Sequence, residues 1–435
     1  MALDLHKRVY SSEVQASKPG SLVVVAGWAA DVKSLGKIAF IKLRDRTGYL
    51  QLVSTDAKLI EKISKLTNES VILATGKVQA SKQKSGGNEI ELKEFEVLNL
   101  SEPKMPIDIS GKIQTDLSKR LDYRVLDLKS PRNLAIFKIR SQANASTRDF
   151  LLAKGFIEMQ TPKLVAAGTE GGATLFQADY YGRKVFLSQS QQLYKQYLLA
   201  AGFDRVFEIG PSFRAEKSHT MRHLTEFTHF DFEMAFIKDE EDILNVLEEW
   251  FVYLLKDLNK KCSEQLKLLG ATFEVPKQPF PRITYEECLK LLSTVGVKLK
   301  FGDDIGTDEE KKVGELIKKK YKTNAYFITK YPYTLKPFYI KTDGKISRGF
   351  DFEYDGEELA SGGQREHSAE TLTKQIKEKG LNPKDFEFYL LPFRYGMPPH
   401  GGFGLGIDRL IRYILKLENI REAVLFPRDP ERLTP

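Results

Sequence analysis

Cysteine is scarce: Cys262 and Cys288 are the only two in 435 residues. That excludes a disulfide framework and a cysteine-rich metal site, and it suits a reducing compartment. Long apolar runs are missing as well. No stretch approaches the ~20 residues that span a bilayer, and Met1 to Tyr10 has no apolar core of signal-peptide length. A cytoplasmic protein with no membrane partner is expected. Internal repeats and low-complexity tracts are absent. The two common phosphate-binding signatures are absent too. The glycines of Gly401 to Arg409 are followed by no Lys-Ser/Thr pair, and no strand–turn–helix carries GxGxxG spacing. Nucleotide chemistry, if there is any, must use another scaffold.

What is present is ordinary in bulk. Hydrophobic residues make up 41% and charged residues 29%, the mixture of a globular chain long enough for two or three domains. A net charge of +8 permits a polyanionic partner without requiring one.

Residues 22–98 read as a small β-rich unit. Leu22 to Trp28, Ala39 to Arg44 and Leu50 to Ser54 are short strands separated by Gly/Asp turns. Asp56 to Leu66 is an amphipathic helix, and Ser70 to Val78 and Glu89 to Leu98 are two further strands. Three strands, a helix and two strands is the order of an OB-fold barrel, whose outer face binds single-stranded nucleic acid. Phe40 and Gln51 fall on neighbouring strands, where a ring could stack on a base and an amide bond its edge. Through residue 101 basic residues modestly outnumber acidic ones. We set domain limits at 1–101 for this barrel, 102–132 for a Pro-containing connector and 133–435 for the remainder.

That remainder is α+β with antiparallel strands. Arg132 to Lys154 is helical and is stopped by Gly155, and Phe156 to Pro162 is an extended segment ended by proline. Val185 to Ser188 is a strand, and Gln191 to Ala201 and Asp239 to Leu258 are helices. Residues 265–345 read as an insertion with helices at Thr284 to Thr294 and Glu309 to Tyr321 and strands at Ala325 to Thr329 and Phe338 to Lys341. Arg348 to Tyr354 and Glu357 to Ser361 form a hairpin. A helix follows at Thr371 to Lys379, then a Gly/Pro-rich loop from Tyr395 to Gly406 and a last helix from Ile407 to Leu417.

Candidate chemistry gathers in this second part. Between Phe213 and Glu233, apolar and charged residues alternate as in two strands joined by a loop, with Arg214, Glu216, Phe227 and Glu233 around the hairpin. An arginine fork suits phosphate oxygens and a ring can stack on a purine. Glu170 lies in the glycine-flanked run Gly168 to Gly172 and could hold an ammonium group. Gln192 and Lys195 share one helix face. Glu358 and Ser361 offer hard oxygen ligands of the kind Mg2+ takes when it bridges phosphates, and Arg365 follows within a short turn. Each cluster alone reads equally as a solvated hairpin, loop or helix end.

Together they resemble a known family. Phe156 to Pro162, Phe213 to Glu233 and Gly404 to Arg409 are similar, in order, to the three signature motifs of class II aminoacyl-tRNA synthetases, and the OB-like unit points to the aspartyl, asparaginyl and lysyl subclass. The strongest resemblance is to the compact archaeal-type aspartyl enzymes. It is carried by Thr169 to Gly172, Gln192 to Gln196, Ser361 to His367 and Phe426 to Asp429. The resemblance implies an OB-fold anticodon-binding barrel followed by a catalytic domain built on an antiparallel sheet flanked by helices. It also implies ATP-dependent activation of L-aspartate and its transfer to tRNA(Asp) by a homodimer with Pro162 at the interface. On that resemblance Arg214 and Arg409 are the catalytic residues, contacting the α- and γ-phosphates. Ala215, Glu216, Arg222, His223, Leu224, Phe227, Glu358, Gly406, Ile407 and Asp408 complete the ATP site. Glu358 and Ser361 would hold Mg2+, with Asp351 as an added carboxylate. Glu170, Gln192, Lys195, Arg214, Ser361 and Arg365 would bind aspartate, while Phe40, Gln51 and Ser85 would meet the anticodon.

Residue chemistry supports aspartate alongside the resemblance. Lys195 and Arg365 can clamp a side-chain carboxylate, whereas in asparaginyl enzymes the position of Lys195 is typically acidic. A buried cation facing a neutral amide would lack its counter-charge. Ala30 and Ser85 fall at or near positions where strict enzymes of this kind carry tryptophan and lysine and relaxed ones histidine and proline, so they match neither pattern; the reading leans to a relaxed enzyme that also charges tRNA(Asn). Two other readings stand beside this one: an asparaginyl or lysyl enzyme, and a non-catalytic RNA-binding paralogue, which would be expected to have lost Arg214, Glu358 or Arg409.

Overall fold

The computed structural model describes residues 3–82, 86–166, 168, 175–216 and 221–435. Two compact units divide the chain at Pro106, inside the stretch read as a connector.

The first unit is a closed barrel of β1 (Leu22–Ser34), β2 (Ala39–Arg44), β3 (Tyr49–Ser54), β4 (Val71–Ala80) and β5 (Asn88–Asn99), in the order β1-β2-β3-β5-β4. Alternation decides which side chains fill it. Ile41, Leu43, Leu50 and Leu52 point inward with Ile72, Ile90 and Phe95, while Phe40, Lys42 and Gln51 point outward. Helix α2 (Ala57–Ser64) is capped by Asp56, whose side chain accepts from Leu59 N at 3.0 Å. The sequence reading lacked helix α1 (Ser11–Ala16). It is fastened to the β2–β3 turn by Ser11 N and Oγ, which donate to Asp45 at 2.6 and 2.8 Å.

The second unit is built on an eight-stranded sheet. Its elements are α3 (Pro131–Ala153), β6 (Ile157–Glu158), α4 (Gln192–Ala200), β7 (Arg205–Phe213), β8 (Glu226–Ala235), α5 (Glu241–Lys261), β9 (Arg282–Thr284), α6 (Thr307–Tyr321), β10 (Ala325–Thr329), β11 (Gly349–Tyr354), β12 (Glu357–Gln364), β13 (His400–Gly406) and α7 (Ile407–Ile414). The strand order is β9-β10-β11-β12-β13-β8-β7-β6. The pairing is antiparallel through the middle and parallel at both outer pairs, β9/β10 and β7/β6, so the sheet is mixed. Strands β9 and β10, from within 265–345, extend the sheet at one edge.

Period-two alternation sorts each central strand. On β8, Phe230, Phe232 and Met234 enter a core shared with α3 and α5, where Phe232 and Phe403 meet edge-on at 4.3 Å between centroids. His229, Asp231 and Glu233 take the alternate positions and so the opposite face. The same rule sends Phe350 and Phe352 to the core and Asp351 the other way.

Three expectations are corrected. Tyr395 to Gly406 is not one loop, because His400–Gly406 is a central strand between β12 and β8. Glycine's poor strand propensity hid it; here the missing side chains make room for neighbours. Phe338 to Lys341 is a turn with one isolated bridge from Ile340 to Arg365. Its consecutive Phe338, Tyr339 and Ile340 are all buried together, which an alternating strand would not allow. Finally, Arg214, Glu216 and Arg222 lie in the segment connecting β7 and β8, not on the strands.

Candidate active site

The open face of the sheet carries a cavity of about 280 Å³. One wall is the β7–β8 connection, the floor is β8, β12 and β13, and α7 closes one end. On the wall, the Arg214 guanidinium carbon lies 5.4 Å from the centroid of the Phe227 ring. Arg222 is held on two sides, donating to Thr307 Oγ1 at 3.1 Å and pairing with Glu357 at 3.0 Å. Arg409, in the first turn of α7, donates to the Glu358 carbonyl at 3.2 Å. Burial and the Arg409 charge lower the His223 imidazole below its ordinary range. The wall is therefore arginine-rich and has an aromatic ring at its centre, the composition an adenine nucleotide requires.

Facing those arginines is a crowd of carboxylates. Burial and the Asp351 charge raise Glu358, and Glu310 is pushed up to about 7 by burial and by Glu358 and Asp351. Lys336 forks both oxygens of Asp351 at 2.7 Å, so Asp351 already has a cation. Glu358 and Ser361 remain as cavity-lining oxygens. Among the described residues no group of three or more His, Cys, Asp or Glu side chains could enclose an ion. A pair of oxygens beside the arginine-rich wall, with repulsion that a cation would relieve, is a donor set that suits Mg2+, which keeps most of its waters and takes few protein oxygens.

Deeper in, charges alternate. Lys195 has no exposed side-chain surface and bonds Asp231 Oδ1 at 2.8 Å, Glu233 at 3.3 Å and the Phe403 carbonyl at 3.0 Å. Glu233 in turn receives Arg365 Nε at 2.8 Å. His229 contacts the other Asp231 oxygen. Burial alone would raise both carboxylates, but the His229 and Lys195 charges hold Asp231 well below its usual range, and Arg365 and Lys195 lower Glu233. The chain Asp231–Lys195–Glu233–Arg365 thus runs minus, plus, minus, plus, and both of its ends, Asp231 and Arg365, line the cavity. Arg365 is also steadied by Gln192, whose Oε1 accepts from Nη2 at 3.3 Å. Gln192 donates to Gln196 at 2.7 Å, and Gln196 bonds His400 at 2.8 Å.

The barrel of the first unit has its own cavity, of about 900 Å³, on the outer face of β2 and β3. Phe40 and Gln51 both line it. Beside them the buried Glu89 accepts from Gln51 at 2.8 Å, Gln79 at 3.0 Å and Ser81 at 3.1 Å.

Residues 116–430 match the family described as "tRNA synthetases class II (D, K and N)", and residues 23–98 match "OB-fold nucleic acid binding domain". The chain belongs to these class II tRNA synthetases. Among its relatives, an aspartate–tRNA(Asp) ligase of Pyrococcus furiosus is 48% identical, covering 98% of this chain and 99% of that one. An aspartate–tRNA(Asp/Asn) ligase of Methanopyrus kandleri is 47% identical over 99% of this chain and 100% of the other. A similar solved structure is asparaginyl-tRNA synthetase from Pyrococcus horikoshii complexed with asparaginyl-adenylate. It has a TM-score of 0.91 at 36% identity and covers 98% of this chain and 99% of that one.

Placed in this class II synthetase, most of the expected site residues meet at one cavity. Gln192, Arg214, Glu216, Arg222, His223, Leu224, Phe227, Glu358, Ser361, Arg365, Gly406, Asp408 and Arg409 all line it. Lys195 lies behind the lining, reaching it only through its carboxylate neighbours. Ile407 is buried in the core, so its contribution is backbone, and Asp408 is engaged by Thr228 N at 2.8 Å and by Arg140. Ala215 follows Arg214 without lining the cavity. Glu170 and Ser85 lie outside the described residues. The sequence reading missed Lys336, His229 and Glu89. The β8 alternation through Asp231 and Glu233 could have flagged His229; Lys336 and Glu89 carry no pattern of their own.

Proposed function

We propose that this chain is an aspartate–tRNA ligase. It activates L-aspartate with ATP, releasing pyrophosphate, and transfers the aspartyl group to the terminal adenosine of tRNA(Asp). The alternating charges ending at Arg365 carry this reading. A ligand carboxylate continues the sequence Asp231–Lys195–Glu233–Arg365 as the next negative charge. The amide of asparagine would offer Arg365, already paired with Glu233, a neutral acceptor in place of a charged one, and so a weaker hydrogen bond. The names of the aspartate–tRNA ligases at 47–48% identity support the same substrate.

In this reading the aspartate α-carboxylate attacks the α-phosphorus in line, with no protein base. Arg214 binds the α-phosphate and the carboxylate, Phe227 and Arg409 sandwich the adenine, and Arg409 reaches the γ-phosphate. Arg222, His223, Leu224 and Glu216 hold the adenosine end. Positioning and electrostatics then supply the rate. Mg2+, bound at Glu358 and Ser361, would neutralise charge on the leaving pyrophosphate. Glu170 would receive the α-ammonium, and Gln192 and Ser361 would border the amino acid.

The proposal extends to a relaxed specificity that includes tRNA(Asn), supported by the name of the aspartate–tRNA(Asp/Asn) ligase at 47% identity. It also extends to a homodimer, for which β6 has an edge with no partner strand among the described residues and Pro162 is exposed, and to a cytoplasmic location. Among the described residues no helix is long and apolar enough to cross a membrane. Charging purified tRNA(Asp) and tRNA(Asn) with labelled aspartate and labelled asparagine tests all of the substrate assignments. Asparagine incorporation, or no charging of tRNA(Asp), overturns the amino-acid assignment; charging of tRNA(Asp) alone overturns the relaxed specificity.

A further inference from the structure

The outer face of the barrel does not end where its cavity does. The registers of β1, β2 and β3 set their outward side chains in three rows: Lys33–Phe40–Val53, Asp31–Lys42–Gln51 and Trp28–Arg44–Tyr49. The first two rows line the cavity, and the third enters it only through Tyr49. Neighbouring rows are two residues apart along β2 and β3, about 7 Å, which allots one row to each nucleotide of an extended strand; on β1 a bulge between Ala29 and Asp31 puts Trp28 three residues from Asp31.

The third row has the make-up of a stacking platform. Trp28 is 40% exposed and Tyr49 38% exposed, with Arg44 between them. Arg44 is fixed by a fork on Glu69 at 3.0 and 2.7 Å, and its guanidinium carbon stands 5.6 Å from the Trp28 ring. Lys42 stands 4.3 Å over the Tyr49 ring. Beyond this row, Arg46 of the β2–β3 turn and Arg8 near the N-terminus both stand over Tyr10, at 4.8 and 5.1 Å. Exposed rings among cations suit a base with its phosphate. A protein partner would call for a continuous apolar patch, and here every ring is separated from the next by a charge.

We propose that Trp28, Arg44 and Tyr49 form an additional base subsite of the barrel. It takes an RNA nucleotide flanking the anticodon, stacked on the rings, with Arg46 near its phosphate. This inference rests on the anticodon reading of the neighbouring cavity.

Tryptophan fluorescence tests it directly, because the only other tryptophan, Trp250, is 1% exposed in the core of the second unit. The full chain is titrated with an RNA hairpin carrying the aspartate anticodon in a seven-nucleotide loop. A second hairpin has the loop nucleotides flanking the anticodon made abasic. The intact hairpin should quench the exposed tryptophan, an effect lost in Trp28→Phe, and the abasic hairpin should bind roughly tenfold more weakly without quenching. Tyr49→Ala should bind both hairpins alike. Tight binding of the intact hairpin without quenching, or equal binding of both hairpins by the wild type, overturns the subsite while leaving the anticodon cavity standing. If neither hairpin binds, the anticodon reading falls and the subsite with it.

Discussion

Glu233 and Arg365 form a forked pair at the base of the second unit's cavity, with Nε at 2.8 Å from one carboxylate oxygen and Nη2 at 3.2 Å from the other. Neither side chain is more than 2% exposed. The fork leaves Arg365 oriented toward the ligand space, and Lys195 behind it secures the same carboxylate at 3.3 Å.

Lys195→Met should therefore act on both folding and substrate. It strands Asp231 and Glu233 as buried anions short of a counter-charge, which costs about 3–5 kcal/mol. Urea denaturation should show that loss, and aspartate-dependent pyrophosphate exchange should show a raised KM for aspartate. Wild-type values in both assays would refute the charge alternation as the source of specificity.

Arg214→Ala should behave in the opposite way. Arg214 sits in a connecting segment over Phe227 and outside the buried core. Its removal should lower kcat for pyrophosphate exchange by roughly 10²–10³ and leave the unfolding midpoint unchanged. Exchange at the wild-type rate would exclude it from transition-state stabilisation.

His400 gives a pH dependence with a definite sign. Burial pushes its imidazole down to about 4. Its Nδ1–H donates to the Pro398 carbonyl at 2.8 Å and Nε2 accepts from Gln196. In the unfolded chain a histidine titrates near 6.5, so between these values the unfolded state binds the extra proton. The stability contribution is complete above pH 6.5 and declines as the pH falls toward 4, by about 3 kcal/mol in all. Urea unfolding at pH 7, 6 and 5 should show that slope, and His400→Gln should flatten it. An unchanged slope in the variant would assign the effect to other groups.

On the barrel, Phe40→Ala and Glu89→Gln should separate the two half-reactions. Glu89 gathers Gln51, Gln79 and Ser81, so its neutral analogue should loosen the face that presents Gln51. Both variants should raise KM for tRNA by about five- to hundredfold, the range of one lost base stack, and leave pyrophosphate exchange at the wild-type rate. Equal losses in exchange and charging would point to misfolding in place of a recognition defect.

Much of this was legible in the sequence wherever side-chain pattern and turn chemistry agreed. The barrel strands alternate between Gly/Asp turns, and Arg348 to Ser361 shows its hairpin because Asp355 and Gly356 supply the turn. Strand β13 was illegible because glycines have no side chain to alternate. The helices at Leu117–Asp122 and Arg124–Asp127 were too short for a period to emerge. At the site, the residue types were readable but their pairing was not. Lys195 and Arg365 read as two cations awaiting a ligand, whereas β8 delivers Asp231 and Glu233 to them from more than thirty positions away. Lys336 was invisible for the same reason: its partner Asp351 is set by the fold, not by spacing.

The glycines of β13 have an evolutionary consequence. A Cβ at Gly402 would overlap the Phe232 carbonyl and the Glu233 carboxylate, and one at Gly404 would come within 2.5 Å of His229 Cε1. Every amino acid reachable from a glycine codon by one base change brings a Cβ, so each such step collides with the charges beneath the pocket before it can alter them. Altering the amino-acid choice through this strand would need the glycine and its charged neighbour to change together. Lineages are then more easily diverted at the helix and loop positions around the cavity than at its floor.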